Sequence, residues 1–533
     1  MSPVQIYDTL LRDGAQKEGI SFSVADKLAI VRKLDELGIH FIEGGWPGSN
    51  PKDAEFFNLA RGVVLNKSEL VAFGSTRQAG ISAEEDFNLN HLINSGVKTV
   101  AIVGKSSELQ VARVLETKLE ENLRMIADSV SYLRSNGLRV FFDAEHFFDG
   151  YKSNADYAIK CLEAAADSGA SCLVLCDTNG GTLPEEIAEA IMAVREKSDV
   201  ELGIHAHNDG GLAVANSLSA VKCGVSQVQG TINGYGERCG NTDLCSIIPA
   251  LKLKMGIDCV TDEELSRLTE VSHYVSEIAN LSLDASLPYV GSSAFSHKGG
   301  LHVSGMAKWL ESYQHIDPSR VGNSSRVVVS ELSGKGNIIY KAKEMGLELP
   351  PGGREVKDLL EQVKSLEKRG FQYENAGASF ELLIRRARPD YHPSFELVDF
   401  MVVVERRRRL PTKAELEEML SEATVKVKVG EDIIHTAAEG NGPVNALDHA
   451  MRKALLQFYP SLAAVKLVDY KVRILEESTG TESQVRVLIE SSDGVNEWRT
   501  VGSSANIIEA SWLALADSLE YWLLKQESGN GKE

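Results

Sequence analysis

The chain has no long apolar run, and this absence excludes a membrane-spanning helix. Its 533 residues contain no apolar stretch that approaches the roughly 20 residues needed to span a bilayer. The N-terminus also lacks the basic stretch followed by an apolar one that marks a secretory signal. We therefore expect a cytoplasmic protein with no membrane partner.

The chain also lacks an excess of basic charge and a regular pairing of cysteines. A formal net charge of −20 argues against non-specific nucleic-acid binding, because attraction to phosphates needs a basic surface. The seven cysteines are odd in number, all lie in the first half of the chain and form no CxxC pair. We expect reduced thiols in apolar cores rather than disulfides.

Short apolar segments recur through the first 235 residues, and each is followed by a stretch with helical periodicity. The segments are residues 4–7, 40–43, 70–74, 99–103, 139–143, 172–176, 201–205 and 226–231. Between them, Ser23 is placed to cap a helix and Pro184 to open one. Eight strand-then-helix units in about 250 residues predict a TIM (β/α)8 barrel.

The alternation stops near residue 270, so we predict three domains. Residues 1–270 would form the catalytic barrel, and 271–394 a mostly helical subdomain that completes the active site. Residues 395–533 would form an α+β domain with strands at 395–406, 423–429, 467–475 and 483–491 and helices at 444–458 and 507–524. Two glycine-containing turns about 62 residues apart suggest two strands-then-helix units, a shape typical of regulatory and dimerising modules.

Two distant segments offer the ligands of a metal site. Leu10-Leu11-Arg12-Asp13-Gly14 carries a carboxylate beside an arginine, and His205-Ala206-His207-Asn208-Asp209 carries two imidazoles. Alternate residues of a strand share a face, so both histidines would point the same way. In the predicted barrel they lie at the C-terminal ends of strands one and seven, which are two apart in the ring. The set suits a divalent metal with open positions.

The same ligand set leaves more than one chemistry open. Two histidines and a carboxylate also serve non-haem iron oxygenases. Arg12, and a buried Glu145 at the end of strand five, favour instead a reaction that forms an oxyanion. A glycine-rich loop at 230–242 follows strand eight and, with Arg238 and Asn241, favours an anion at the same mouth.

Four runs of this sequence resemble signature runs of the 2-isopropylmalate, homocitrate and citramalate synthases. They are YDTLLRDG (7–14), GIHAHNDGGLAVAN (203–216), GYGERCGN (234–241) and FSHKGGLHVSG (295–305). The similarity runs from about residue 3 to the C-terminus and includes the module with which these synthases bind an inhibitory amino acid. IEGGWPGSNPKD (42–53) and FFDAEHFFDGYK (141–152) most resemble the citramalate synthase branch.

The resemblance implies roles for particular residues. Four of them would ligate the metal, and these are Asp13, His205, His207 and Asn241. Arg12 would stabilise negative charge on the keto oxygen, Glu43 would orient Arg12, and Thr178 would hold the keto acid carboxylate. Glu145 would be a base or a water activator. From the second domain, His302 and Tyr313 would act on acetyl-CoA.

The activity implied is a metal-dependent Claisen condensation of acetyl-CoA with pyruvate, followed by thioester hydrolysis, giving (R)-citramalate for isoleucine biosynthesis. The metal would be Mn, Mg or Zn, the enzyme a homodimer, and isoleucine its feedback inhibitor. The branch-like motifs and the bulk of Trp46 and Phe142 favour pyruvate. The alternatives left open are 2-isopropylmalate synthase, homocitrate synthase, a hydroxymethylglutaryl-CoA lyase, and a decayed barrel attached to an amino-acid sensor.

Overall fold

The computed structural model describes residues 3–328, 335–347, 349, 354–389, 391–406, 419–475 and 483–530. These residues form two compact units. The first comprises the described parts of Met1–Phe295 and His315–Ser325, and the second those of Ser296–Gln314 and Arg326–Glu533. Among the helices of these described ranges, none is long and apolar enough to cross a membrane.

The first unit is a closed barrel of eight parallel strands that follow one another in chain order, which confirms the predicted fold. The strands are β1 (Gln5–Asp8), β2 (Phe41–Gly45), β3 (Glu69–Ser75), β4 (Thr99–Lys105), β5 (Arg139–Glu145), β6 (Cys172–Asp177), β7 (Glu201–Ala206) and β8 (Gln227–Gly230). The ring closes where β1 pairs with β8, with Gln5 opposite Gln227.

Helices surround the barrel. They are α1 (Val24–Glu36), α2 (Pro51–Ala60), α3 (Phe87–Asn94), α4 (Glu108–Arg113), α5 (Leu119–Ser135), α6 (Phe147–Ser153), α7 (Ala155–Asp167), α8 (Pro184–Arg195), α9 (Ala213–Lys222), α10 (Leu244–Pro249), α11 (Asp262–Leu265) and α12 (Leu268–Ile278). Short 3-10 turns lie at Gly14–Gln16, Ile232–Gly234 and Pro318–Val321, and a π turn follows α10 at Ala250–Lys254. As predicted, Ser23 caps α1 in a reciprocal pair with Asp26, and Pro184 opens α8.

Strand residues alternate between two apolar cores, one inside the barrel and one beneath the helices. The inner core consists of Tyr7, Phe41, Val71, Phe73, Ala101, Phe141, Cys172, Val174 and Cys176. Phe142 belongs to the outer core, so its bulk does not line the barrel interior and the expectation that it limits the substrate is wrong. Its neighbour Phe141 is the inward aromatic of β5.

All seven cysteines are free thiols, as expected. Five of them are buried, while Cys223 is half-buried and Cys239 is exposed. The prediction of core thiols is therefore wrong for Cys239, which lies in the glycine-rich loop after β8.

The second unit begins with short elements and helices. They are β9 (Ser296–His297), α13 (Gly300–Lys308), a 3-10 turn (Leu310–Ser312), β10 (Arg326–Val327), α14 (Lys335–Glu344), α15 (Arg354–Lys368) and α16 (Gly377–Arg386). β9 and β10 pair in parallel. Apolar residues of α14, α15 and α16 share one small core, so this part is mostly helical as predicted.

The rest of the second unit repeats one arrangement, three antiparallel strands and then a helix. The elements are β11 (Glu396–Arg406), β12 (Met419–Val429), β13 (Asp432–Gly440), α17 (Pro443–Leu455), a 3-10 turn (Pro460–Ala464), β14 (Lys466–Ile474), β15 (Val485–Ser492), β16 (Glu497–Ser504) and α18 (Ile507–Asn530). The strands form separate sheets, β11-β12-β13 and β14-β15-β16. The two predicted strands-then-helix units are confirmed, and each holds one strand more than predicted.

Candidate active site

Three buried side chains meet at the C-terminal mouth of the barrel. Asp13 follows β1, His205 lies near the end of β7, and His207 follows it. One possible ligand atom from each lies within 4.8 Å of the other two. The sequence-predicted triad is therefore brought together in space.

The interatomic distances fit one shared cation. The two histidine Nε2 atoms are 3.3 Å apart, and Asp13 Oδ2 is 3.5 Å from Nε2 of His205 and 3.8 Å from Nε2 of His207. Ligand atoms about 2.0–2.2 Å from one ion stand about 3–4 Å from each other. Asp13 Oδ1 and His207 Nδ1 are also buried without a hydrogen-bond partner among the described residues. The donors present thus suit a divalent metal.

Local charges set the protonation of these donors, and at Asp13 and His207 they favour the states that a cation needs. Burial alone would raise the pKa of Asp13, but Arg12 and the two histidines lower it well below its usual range. Burial and the neighbouring His205 lower the pKa of His207 to about 4, so His207 is neutral near pH 7. Burial would also lower the pKa of His205, but the Asp13 carboxylate outweighs it and raises that pKa.

Asn241 lies beside this triad. It pairs with His207 in an isolated antiparallel bridge and is buried. Its Nδ2 donates to Thr9 Oγ1 at 3.4 Å, and its Oδ1 has no partner among the described residues. Gly240, at φ +93°, makes the turn possible, since a Cβ there would lie 2.0 Å from the Gly234 carbonyl oxygen. A free amide oxygen at this place is compatible with the proposed fourth ligand.

Arg12 is fixed by a chain of contacts on the barrel's inner face. Its Nε donates to Glu43 Oε1 at 2.5 Å, and its Nη1 donates to Asp13 Oδ2 at 3.1 Å. Tyr7 donates to the second oxygen of Glu43 at 2.7 Å. The guanidinium carbon lies 3.9 Å from the ring centre of Phe73. Arg12 therefore stands next to the metal candidates in one orientation, with Glu43 as its buried counter-charge.

Thr178 and Arg238 lie on the loops after β6 and β8. The Thr178 hydroxyl accepts a hydrogen bond from the His146 backbone N–H at 2.8 Å. Arg238 donates to the Thr178 carbonyl and to Asp209, both at 2.8 Å. Because Asp209 already pairs with Arg238, this arginine ties two loops together, and its predicted anion-binding role loses support.

Glu145, at the end of β5, is less buried than its sequence context suggested. Its side chain is 26% exposed and forms an ion pair with Lys105 at the end of β4. The sequence analysis did not identify Lys105 as a partner of Glu145. The ion pair keeps a carboxylate and an ammonium side by side at the barrel mouth.

His302 and Tyr313 belong to the second unit. Their rings stack with centroids 4.1 Å apart and an interplanar angle of 18°. Tyr313 is 46% exposed, and His302 is exposed as well. The two residues that the resemblance assigns to acetyl-CoA are thus neighbours on one surface.

Sequence reasoning missed a polar group beneath the triad. Gln229 of β8 is fully buried, and its Oε1 lies 3.0 Å from Nδ1 of His205. Its Nε2 is 3.5 Å from Asp143 of β5 and 3.4 Å from Gln227. The available signal was a pair of glutamines at alternate positions of a buried strand, because burying a polar side chain costs free energy unless it is hydrogen-bonded.

Three segments of the chain match known families. An HMGL-like family matches residues 3–275, a homocitrate synthase post-HMGL domain-like family matches 289–370, and a LeuA allosteric (dimerisation) domain matches 375–523.

Curated relatives match the whole chain. An (R)-citramalate synthase of Geobacter sulfurreducens is 54% identical over 100% of both chains, and one of Aquifex aeolicus is 52% identical over 98% of both. A 2-isopropylmalate synthase of Methanocaldococcus jannaschii is 29% identical over 98% of this chain and 95% of its own. The similarity extends over barrel and C-terminal region alike.

Proposed function

The chain belongs to the (R)-citramalate synthases of the HMGL-like family, and from that premise we propose that it condenses acetyl-CoA with pyruvate and hydrolyses the thioester, releasing (R)-citramalate and CoA. The observation that carries the proposal is the cluster at the barrel mouth in which the half-buried Arg12 stands beside the buried Asp13, His205 and His207. It combines a cation site with a fixed guanidinium, which a reaction that builds charge on a keto oxygen requires.

Different residues of the site would bind the metal, bind the substrate carboxylate and stabilise negative charge. We propose that Asp13, His205, His207 and Asn241 hold a divalent ion, whether Mn, Mg or Zn, which when bound polarises the keto group of the substrate. Thr178 would bind the keto acid carboxylate through its hydroxyl. Arg12 would donate to the keto oxygen as that oxygen gains negative charge.

Proton transfers complete the reaction. A base removes a proton from the acetyl methyl group, the resulting enolate carbon attacks the keto carbon, and the alkoxide oxygen is then protonated. Water next attacks the thioester carbonyl, the C–S bond breaks, and CoA leaves as a thiol. We propose that Glu145, His302 and Tyr313 remove the methyl proton and activate the hydrolytic water. Lys105 holds Glu145 in place through the ion pair between them.

Two neighbouring aromatic side chains, Trp46 and Phe73, favour a small keto acid. Trp46 meets Phe73 edge-on with ring centroids 5.4 Å apart, and Phe73 lies against Arg12. Trp46 Nε1 donates to Asn88, and its backbone N–H donates to Asp53, so the indole has little freedom to turn aside. We propose that Trp46 and Phe73 leave room for the methyl group of pyruvate and exclude branched keto acids.

The C-terminal part supports proposals on assembly and control. Residues 375–523 match a family described as allosteric and dimerising. We propose a cytoplasmic homodimer inhibited by isoleucine, the end product that a citramalate pathway would supply. We also propose three domains, at residues 1–270, 271–394 and 395–533.

The test is release of free thiol from acetyl-CoA, measured with a chromogenic disulfide. Pyruvate, 2-ketoisovalerate and 2-ketoglutarate are offered in turn with Mn²⁺. We expect the highest kcat/KM with pyruvate. A preference for 2-ketoisovalerate or 2-ketoglutarate would instead favour a 2-isopropylmalate or a homocitrate synthase.

A further inference from the structure

The two histidines of the triad differ in what holds their outer nitrogens. Nδ1 of His207 has no hydrogen-bond partner among the described residues, whereas Nδ1 of His205 lies 3.0 Å from Gln229 Oε1. A neutral imidazole carries its proton on one nitrogen only, and the hydrogen bond at that nitrogen decides which one. Of these two histidines, only His205 is therefore held in a defined tautomer by a hydrogen bond at its outer nitrogen.

The orientation of the Gln229 amide follows from its other neighbours. Its Nε2 faces two acceptors, Asp143 Oδ1 at 3.5 Å and Gln227 Oε1 at 3.4 Å. A flipped amide would turn its oxygen toward the Asp143 carboxylate and its N–H groups toward His205. Burial and the nearby Glu43 raise the pKa of Asp143 to about 7, so the repulsion acts on the ionised form of Asp143, and solvent cannot relieve it because the side chain is buried. The carbonyl oxygen of Gln229 is therefore the group that faces His205.

We propose that Gln229 is a positioning residue for the metal centre and that Asp143 sets its orientation. Gln229 Oε1 accepts a hydrogen bond from the Nδ1–H group of His205, so Nε2 keeps its lone pair and points at Nε2 of His207 and at Asp13. Without the acceptor, the His205 proton can move to Nε2 and block coordination. The role deepens the proposed function, since it rests on the metal site assigned there.

A pair of variants separates this role from simple packing. Gln229→Met keeps the length and burial of the side chain but removes the acceptor. The double variant Gln229→Glu with Asp143→Asn exchanges the two groups: the new carboxylate accepts from His205, and the new amide donates to it. A packing role predicts that two buried changes are at least as harmful as one. A positioning role predicts that the exchange restores function.

The readout is the Kd for Mn²⁺ alone, measured by titration calorimetry on the metal-stripped full-length protein. We expect about 10- to 100-fold weaker binding in Gln229→Met, as for other groups that orient a metal ligand. The double variant should bind close to wild type. Thr99→Val is the matched control, since it removes a buried hydroxyl that bonds Glu69 and Arg139 without touching the triad.

Each outcome of the Mn²⁺ titrations supports or refutes either the role of Gln229 or the metal site. Wild-type affinity in Gln229→Met, or equal losses in the single and double variants, would overturn the positioning role while the metal site stands. No Mn²⁺ binding by the wild-type protein would instead overturn the metal site itself. If Gln229→Met does not fold, the double variant still tests the role, because tight Mn²⁺ binding supports it and a loss matching that of His205→Ala refutes it.

Discussion

The ion pair between Arg12 and Glu43 allows a quantitative prediction. Glu43 is fully buried and accepts hydrogen bonds from Arg12 and Tyr7, while the Arg12 side chain is 15% exposed. Glu43→Gln keeps the size of the side chain and one carbonyl oxygen for Arg12. Its new N–H group can donate to the Tyr7 hydroxyl oxygen, but the buried Tyr7 O–H then loses the carboxylate oxygen that accepted its hydrogen bond, which should lower stability.

For Arg12, the loss is the charge of the one hydrogen bond that Glu43 accepted from it. A bond to a charged group contributes about 1.5–3 kcal/mol and a neutral one about 0.5–1.5, so the change costs about 1–2 kcal/mol. If that bond holds Arg12 in the geometry used in the transition state, kcat/KM for pyruvate should fall about 5- to 30-fold. Arg12 would also be drawn toward Asp13, its remaining carboxylate partner, which competes with cation binding.

The assay is thiol release at saturating acetyl-CoA, with thermal unfolding measured on the same samples. Glu69→Gln is the matched control, because Glu69 pairs with Arg139 at the opposite end of the barrel. That variant should lower stability without changing kcat/KM. Wild-type kcat/KM in Glu43→Gln would refute the idea that Glu43 holds Arg12 for catalysis.

Three further outcomes are expected. His207→Ala should abolish thiol release and Mn²⁺ binding while the metal-free protein keeps its circular dichroism spectrum; retained turnover would disprove the ligand assignment. Trp46→Leu should raise kcat/KM for 2-ketoisovalerate relative to pyruvate by about tenfold or more, since each methylene contributes about 1–3 kcal/mol in a fitted pocket; an unchanged ratio would remove Trp46 from the specificity argument. At pH 8, iodoacetamide should label the exposed Cys239 first, which mass spectrometry can show. Burial raises the pKa of Cys161 and of Cys259 to about 12, so both thiols stay protonated until the pH approaches that value. Early labelling of Cys161 would contradict its burial.

The barrel could be predicted from the sequence because its strands are short, apolar and separated by amphipathic helices. The triad could be predicted because His205 and His207 alternate on a strand and Asp13 follows another. Orientation within a strand was harder to judge where both faces are apolar. Phe141 and Phe142 are adjacent and equally apolar, and the pattern alone could not tell which one faces inward.

Two strands of the second unit escaped prediction for different physical reasons. β13 is mostly exposed or half-buried along its length, so it lacks the alternation that marks a strand. β16 ends in small residues that suggested a turn. Gly502 is small for another reason, since a Cβ there would lie 2.0 Å from the Ala510 carbonyl oxygen of α18. Its size reflects close packing of a helix on the sheet.

Gln229 and the pairing of Lys105 with Glu145 depend on contacts between strands distant in sequence. β5 and β8 are separated by 81 residues from the end of one to the start of the other, and only closure of the barrel brings Asp143 within reach of Gln229. Such contacts follow from the fold and leave little trace in local patterns.

The most direct test of the proposed activity is thiol release by the metal-stripped protein given acetyl-CoA, with pyruvate and Mn²⁺ added separately and together. A metal-dependent condensation predicts release of CoA, and formation of citramalate in equal amount, only when both pyruvate and Mn²⁺ are present. Release of CoA without pyruvate, or an equal rate in the presence of a chelator, would contradict a metal-dependent condensation.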